Sequence, residues 1–135
     1  MKIKTSELSG AALDWAVAQC EQKPLVFRGR KWPTDGAATV EYAPWAVHPV
    51  VNGSGPFVAS LCNSTYSPST DWSQGGPIIE REGVLFVGTN DGGMYHAWIV
   101  RRNASALGPT HLIAAMRCHV ASHLGDEVDI PEALA

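Results

Sequence analysis

Apolar positions along the chain first fall into register in LSGAALDWAVAQCE, where Leu8, Ala12 and Trp15 share one side with Ala16 and Cys20 alongside. That spacing predicts a helix near residues 9–22, capped by Ser9, stapled by Leu8 against Leu13, and stopped by Lys23-Pro24. LVFRGR and ATVEY read as short strands, joined through the turn signals of KWPTDGA. Between residues 43 and 77 the periodicity vanishes under repeated prolines: Pro44, Pro49, Pro56, Pro68 and Pro77. Trp45, Phe57, Tyr66 and Trp72 give this long irregular segment surface to bury, so it is expected to be ordered.

Periodicity returns with PIIEREGVLFV, whose β-formers predict a strand over 77–87 with Glu82-Gly83 as a turn or bulge. TNDGG is a hairpin signal, and MYHAWIVRR alternates Tyr95, Ala97 and Ile99 against His96, Trp98 and Val100. The last helix is predicted over 109–124, with Pro109 in its first turn and Gly125 beyond its end. Leu112, Ile113, Met116, Val120 and Leu124 form its apolar arc. This order predicts an α+β fold: a small antiparallel sheet with the N- and C-terminal helices on one face. A chain of 135 residues, 45% of them hydrophobic, is expected to be one domain, 1–135, with a core of its own.

A net charge of −3 offers no basic field for nucleic acid, and Arg28, Arg30 and Lys31 among the aromatics of FRGRKW do not change that expectation. Cys20, Cys62 and Cys118 are odd in number and form no CxxC pair, which suits reduced thiols. No apolar run approaches a membrane span, and MKIKTSELSG lacks the apolar region of a signal peptide. A cytoplasmic protein with no membrane partner is expected.

Candidate chemistry is sparse. His119 and His123 stand four apart on the last helix, a spacing that suits one metal ion, but no Glu lies between them. His111 and Cys118 lie on the opposite face and add no third ligand, so no metal and no cofactor are expected. GxSxG, Walker and GxGxxG motifs are absent, and no catalytic residue can be named. The segment SPSTDWSQGG sustains two readings. In one, Ser67 caps a single helical turn closed at Gly75 or Gly76, Asp71 serves that turn, and Trp72 fills the core. In the other, Tyr66 and Trp72 stack on a planar ring, Ser67, Thr70 and Asp71 bond sugar or phosphate, and the Gly75-Gly76 amides approach a phosphate. Arg81 and Arg117 are the nearest candidate cations by sequence.

Three blocks, KTSELSGAALDWAVA, YSPSTDWSQGGPIIEREG and GPTHLIAAMRCHVASHLGDEVDIPEAL, together resemble the NinX-like family of small bacteriophage proteins. The resemblance implies a phage or prophage product made in the bacterial cytoplasm. The family has no assigned activity, so no catalytic residue is carried over. Small phage proteins of this kind are often accessory and act against host defence. The expectation is therefore a non-enzymatic binder that sequesters a small nucleotide-like ligand, such as a host defence signal, with a pocket shared between subunits of a homo-oligomer. The alternatives are an interaction protein that occludes a host protein through Trp15, Trp32, Trp45 or Trp98, and an enzyme acting on a small nucleotide.

Overall fold

The computed structural model describes residues 1–21, 66–89 and 92–134, and between them four strands by their backbone alone. In chain order the elements are β1 (Lys2–Lys4), α1 (Gly10–Glu21), β2 (Leu25–Gly29), β3 (Ala38–Tyr42), β4 (Val47–His48) and β5 (Phe57–Val58). Then come α2 (Trp72–Glu82), β6 (Leu85–Thr89), β7 (Tyr95–Ile99), β8 (Ala104–Gly108), α3 (His111–Leu124) and β9 (Glu127–Asp129). The fold is α+β, as the sequence pattern predicts, with small antiparallel sheets. The other residues between 22 and 65, with Arg30, Lys31, Trp32, Trp45 and Cys62 and most of the segment expected to be ordered, lie outside the described residues.

Strands β6, β7 and β8 form the largest sheet, in that order and antiparallel throughout. The alternation read from MYHAWIVRR places Ala97 and Ile99 in the core and leaves Trp98 exposed. Strands β2 and β3 pair as expected, from Leu25↔Tyr42 to Gly29↔Ala38. At the chain ends β1 pairs with β9, setting Lys2 opposite Asp129 and Lys4 opposite Glu127.

Helix α3 is the centre of the described residues. It lies on β7 and β8, while α1 and α2 pack against it from other sides. Every residue from Ala114 to Val120 is therefore buried, including Met116, Arg117 and His119. Of the two helices expected on one sheet face, α3 lies on β7 and β8, and α1 makes its main contacts with α3 and β3. Pro109 precedes the cap instead of opening the helix. Thr110 holds the N-cap position, its Oγ1 accepting from Ile113 N at 3.1 Å.

The main correction concerns residues 72–82, where the predicted strand start is a helix that runs through Gly75, Gly76 and Pro77. Pro77 removes a ladder hydrogen bond, and glycine is a poor helix former, so local propensity argues against this element. Its ends and packing outweigh that. Asp71 caps it, Oδ1 accepting from Ser73 N at 2.9 Å and from Ser73 Oγ at 2.7 Å. At the far end Gly83 turns left-handed (φ 66°), its N–H reaching Glu80 O, while Val84 N reaches Ile79 O at 3.1 Å. This paired closure satisfies the last carbonyls and sets Val84 over Ile79. Gly75 sits so close to α3 that a Cβ there would meet the Pro68 carbonyl and, at 2.6 Å, Leu112 Cδ2. The glycine pair does not end a turn. Gly75 lets the helix seat.

Candidate functional site

The amino ends of α2 and α3 come together around an open cleft of about 370 Å³. Ser69, Thr70 and Trp72 line one side, and Tyr95 with residues 109–113 line the other. A volume of that size lies at the small end of ligand pockets. Trp72, the first residue of α2, is 56% exposed and so does not fill the core. Across from it Tyr95 stacks on His111, ring centroids 3.9 Å apart and tilted 31°, and Phe86 meets the same imidazole edge-on at 4.9 Å. Because Thr110 caps the helix through Ile113, the amides of His111 and Leu112 are first-turn donors with no partner in the helix ladder.

The residues singled out from the sequence separate into three groups. Thr70 and Trp72 line the cleft. Ser67 and Asp71 build the turn beneath it: Ser67 O accepts from Thr70 N and Asp71 N, and Ser67 N donates to Gln74 Oε1 at 2.8 Å. Hydrogen bonds from Ser73 hold the Asp71 carboxyl below its ordinary range. Gly75 seats the helix, Gly76 is half-buried on it, and Tyr66 is buried, its hydroxyl pushed up by burial and by the nearby Glu21 and Asp14.

Arg81 and Arg117 form the third group. Arg81 is in the last turn of α2 and not in a strand, and its guanidinium donates to both carboxylate oxygens of Glu21, at 2.7 and 2.5 Å. Its Nε donates to Glu82 Oε2 at 3.0 Å. Arg117 is buried, donating from Nε to Leu8 O at 2.8 Å and from Nη1 to Leu107 O at 2.9 Å. Both cations are committed to holding elements together, outside the lining of the cleft.

Sequence reasoning missed Glu82, because a strand reading gives it no fixed neighbour. Burial alone would raise its carboxyl, but Arg81, His119 and Arg101 bring it down to about 2. Glu21 is likewise held below its ordinary value, with Arg81 and His119 outweighing burial. Burial lowers His119 below its ordinary value, against the pull of Glu21 and Glu82. Among the described residues, Glu82, His119 and His123 could hold a metal ion, their ligand atoms lying within 4.8 Å of one another.

A family model described as Bacteriophage P22, NinX matches residues 4–123, from β1 through almost all of α3. The chain belongs to the phage P22 NinX family. Among curated proteins no sequence matches it. The match runs across both walls of the cleft and both helix ends that build them. No helix among the described residues of this NinX-family chain is long and apolar enough to cross a membrane.

Proposed function

We propose that this NinX-family protein binds a small, planar, anionic ligand of nucleotide type in the cleft between α2 and α3, without transforming it. The observation that carries this reading is the meeting of exposed Trp72 with the Tyr95–His111 pair at the amino end of α3. An aromatic ring stacks between these side chains. The ligand's negative group takes the first-turn amides of α3 and the hydroxyls of Thr70 and Thr110, where the helix dipole favours it. Ser67, Asp71, Gly75, Gly76 and Tyr66 shape the turn that presents Trp72. Arg81 and Arg117 act from behind, by fixing α1, α2, β8 and α3 to one another. Sequestration of a defence signal is the role this binding would serve in an infected cell.

Incubating the protein with a panel of mono-, di- and cyclic nucleotides, then heating it to release what it holds, tests the proposal. Recovery of an unchanged nucleotide supports it. An altered one points to an enzyme, and no uptake sinks the reading. Trp72→Ala should weaken capture roughly five- to 150-fold, since stacking on an aromatic contributes about 1–3 kcal/mol.

The outer face of the β6–β8 sheet favours a second reading, as a binder of another protein subunit. Leu85, Val87, Trp98 and Leu107 are all at least 40% exposed there, and Leu85 and Trp98 are cross-strand partners. Exposed apolar surface of this kind marks interaction sites. Light scattering on wild type and Trp98→Lys distinguishes self-association from a monomer.

A further inference from the structure

Glu21 ends α1, Glu82 ends α2, and His119 and His123 lie one turn apart on α3, so three helices bring their polar residues to one point. Glu82 Oε1 stands 3.8 Å from His119 Nδ1 and 3.6 Å from His123 Nε2. Two of these three atoms, Glu82 Oε1 and His119 Nδ1, are buried and make no hydrogen bond, Oε1 having only the ion pair with Arg102 at 3.3 Å. A buried polar atom without a hydrogen bond is costly, and here two of them face each other. We propose that Glu82 Oε1, His119 Nδ1 and His123 Nε2 bind a divalent transition-metal ion of the zinc class.

The donor set fits. Two imidazole nitrogens and one carboxylate oxygen are the ligands of an open zinc site, with bonds of about 2.0–2.2 Å. Such bonds set ligand atoms roughly 3.3 Å apart, so Glu82 Oε1 must close on each nitrogen by a few tenths of an ångström. The two nitrogens, within 4.8 Å of one another, must also draw together, and His123, the most exposed of the three, can swing to allow it. The supporting shell is already present. His119 Nε2 lies 3.1 Å from Glu21 Oε2, and Glu21 is ionised by its two-point pair with Arg81. The imidazole therefore donates from Nε2 and turns the lone pair of Nδ1 toward Glu82. Metal-bound histidines are commonly fixed in this way by a carboxylate behind them.

Three arginines set the terms. Arg81 and Arg101 approach Glu82 Oε2, at 3.0 and 3.2 Å, and leave Oε1 to the ion. Arg102 Nε stands 3.3 Å from Oε1 and must give way to the ion; its side chain is 37% exposed and has solvent to move into. An open cleft of about 430 Å³, lined by Arg81, Glu82, Gly83, Leu85, Val100 and Arg101, gives the ion a path. Its arginines also suit an anion on the position the protein leaves vacant. The sequence shows the histidine pair without a third ligand, and α2, by being a helix, supplies it. The site is separate from the ligand cleft: His119 is eight residues past His111, about 12 Å along the helix axis.

Calorimetric titration of chelator-treated full-length protein with zinc chloride, and with cobalt(II) for its visible absorption, decides the matter. One equivalent of zinc per chain is expected. His119 is fully buried and its replacement endangers the fold, so exposed His123 carries the test. His123→Ala should keep the circular dichroism of wild type and lose zinc affinity by tenfold or more. Glu21→Gln, which retains a side-chain oxygen for Arg81, should weaken zinc roughly 10- to 100-fold. Arg102→Ala should tighten it. Absence of zinc and cobalt uptake by the wild type, or an unchanged zinc affinity in His123→Ala, would overturn the proposal.

Discussion

Glu21 and Arg81, sixty positions apart in the chain, meet in a two-point ion pair that ties the end of α1 to the end of α2. Arg81 then reaches on to Glu82, so the two carboxylates share one guanidinium. The Glu82 carboxyl falls in the folded protein from its ordinary 4.5 to about 2. A depressed folded value stabilises above the unfolded one, so this contribution is complete above pH 4.5 and is lost as pH falls toward 2. Denaturant midpoints measured from pH 6 down to about pH 2 should show that loss. Glu82→Gln should flatten the profile within the window.

Asp14 carries the opposite sign. It is buried, its Oδ1 accepting from Ser69 N at 2.9 Å, and burial pushes its carboxyl from 3.8 up to about 6 despite that bond. The folded state thus prefers the protonated acid, and stability declines as pH rises from 3.8 through 6. Asp14→Asn keeps an oxygen acceptor without the charge. It should gain about 3 kcal/mol above pH 6, from about 1.4 kcal/mol per pH unit, and nothing below pH 3.8. An Asn variant less stable than wild type at pH 8 would refute the burial account.

Adjacent glycines in α2 should respond oppositely to the same change. Nothing lies within 4 Å of a Cβ on Gly76, so Gly76→Ala should stabilise the helix by about 0.5–1 kcal/mol. Gly75→Ala drives a methyl into Pro68 and Leu112 and should destabilise by roughly 1–3 kcal/mol. Thermal melts of the two variants are a direct comparison. Equal shifts would mean that α2 is not seated on α3 as described.

Arg117 should prove structural. Arg117→Met fills similar space but strands Leu8 O and Leu107 O, each at about 1–3 kcal/mol if it stays buried. The loss should appear in urea midpoints with nucleotide capture by the surviving folded fraction intact. A variant of wild-type stability that has lost capture would instead make Arg117 a ligand contact.

Much of this arrangement was legible in the chain. Helices α1 and α3, the β2–β3 pair and the hairpin of β6 with β7 follow from apolar spacing and turn residues. Helix α2 was not, because Gly75, Gly76, Pro77 and two isoleucines all weigh locally against a helix. The counter-signal was at its end. Gly83 followed by apolar Val84, with Ile79 one turn earlier, is the pattern of a left-handed helix closure, and EREG reads equally well as a β-turn. That single misassignment hid Glu82 from the histidines. Trp72 and Thr70 could be named from the sequence, whereas Tyr95 and His111 could not, since only the packing of α3 on β7 brings them across the cleft.

The central position of α3 also governs how the chain acquires its fold. A helix that begins at His111 emerges after α1, α2 and the sheet, yet all of them rest on it. During synthesis those earlier elements wait with Leu13, Val17, Ile78 and Ile99 uncovered, and closure must join segments about a hundred residues apart. The arrival of α3, and not any local nucleus around α1, is the event that commits the molecule to its native state.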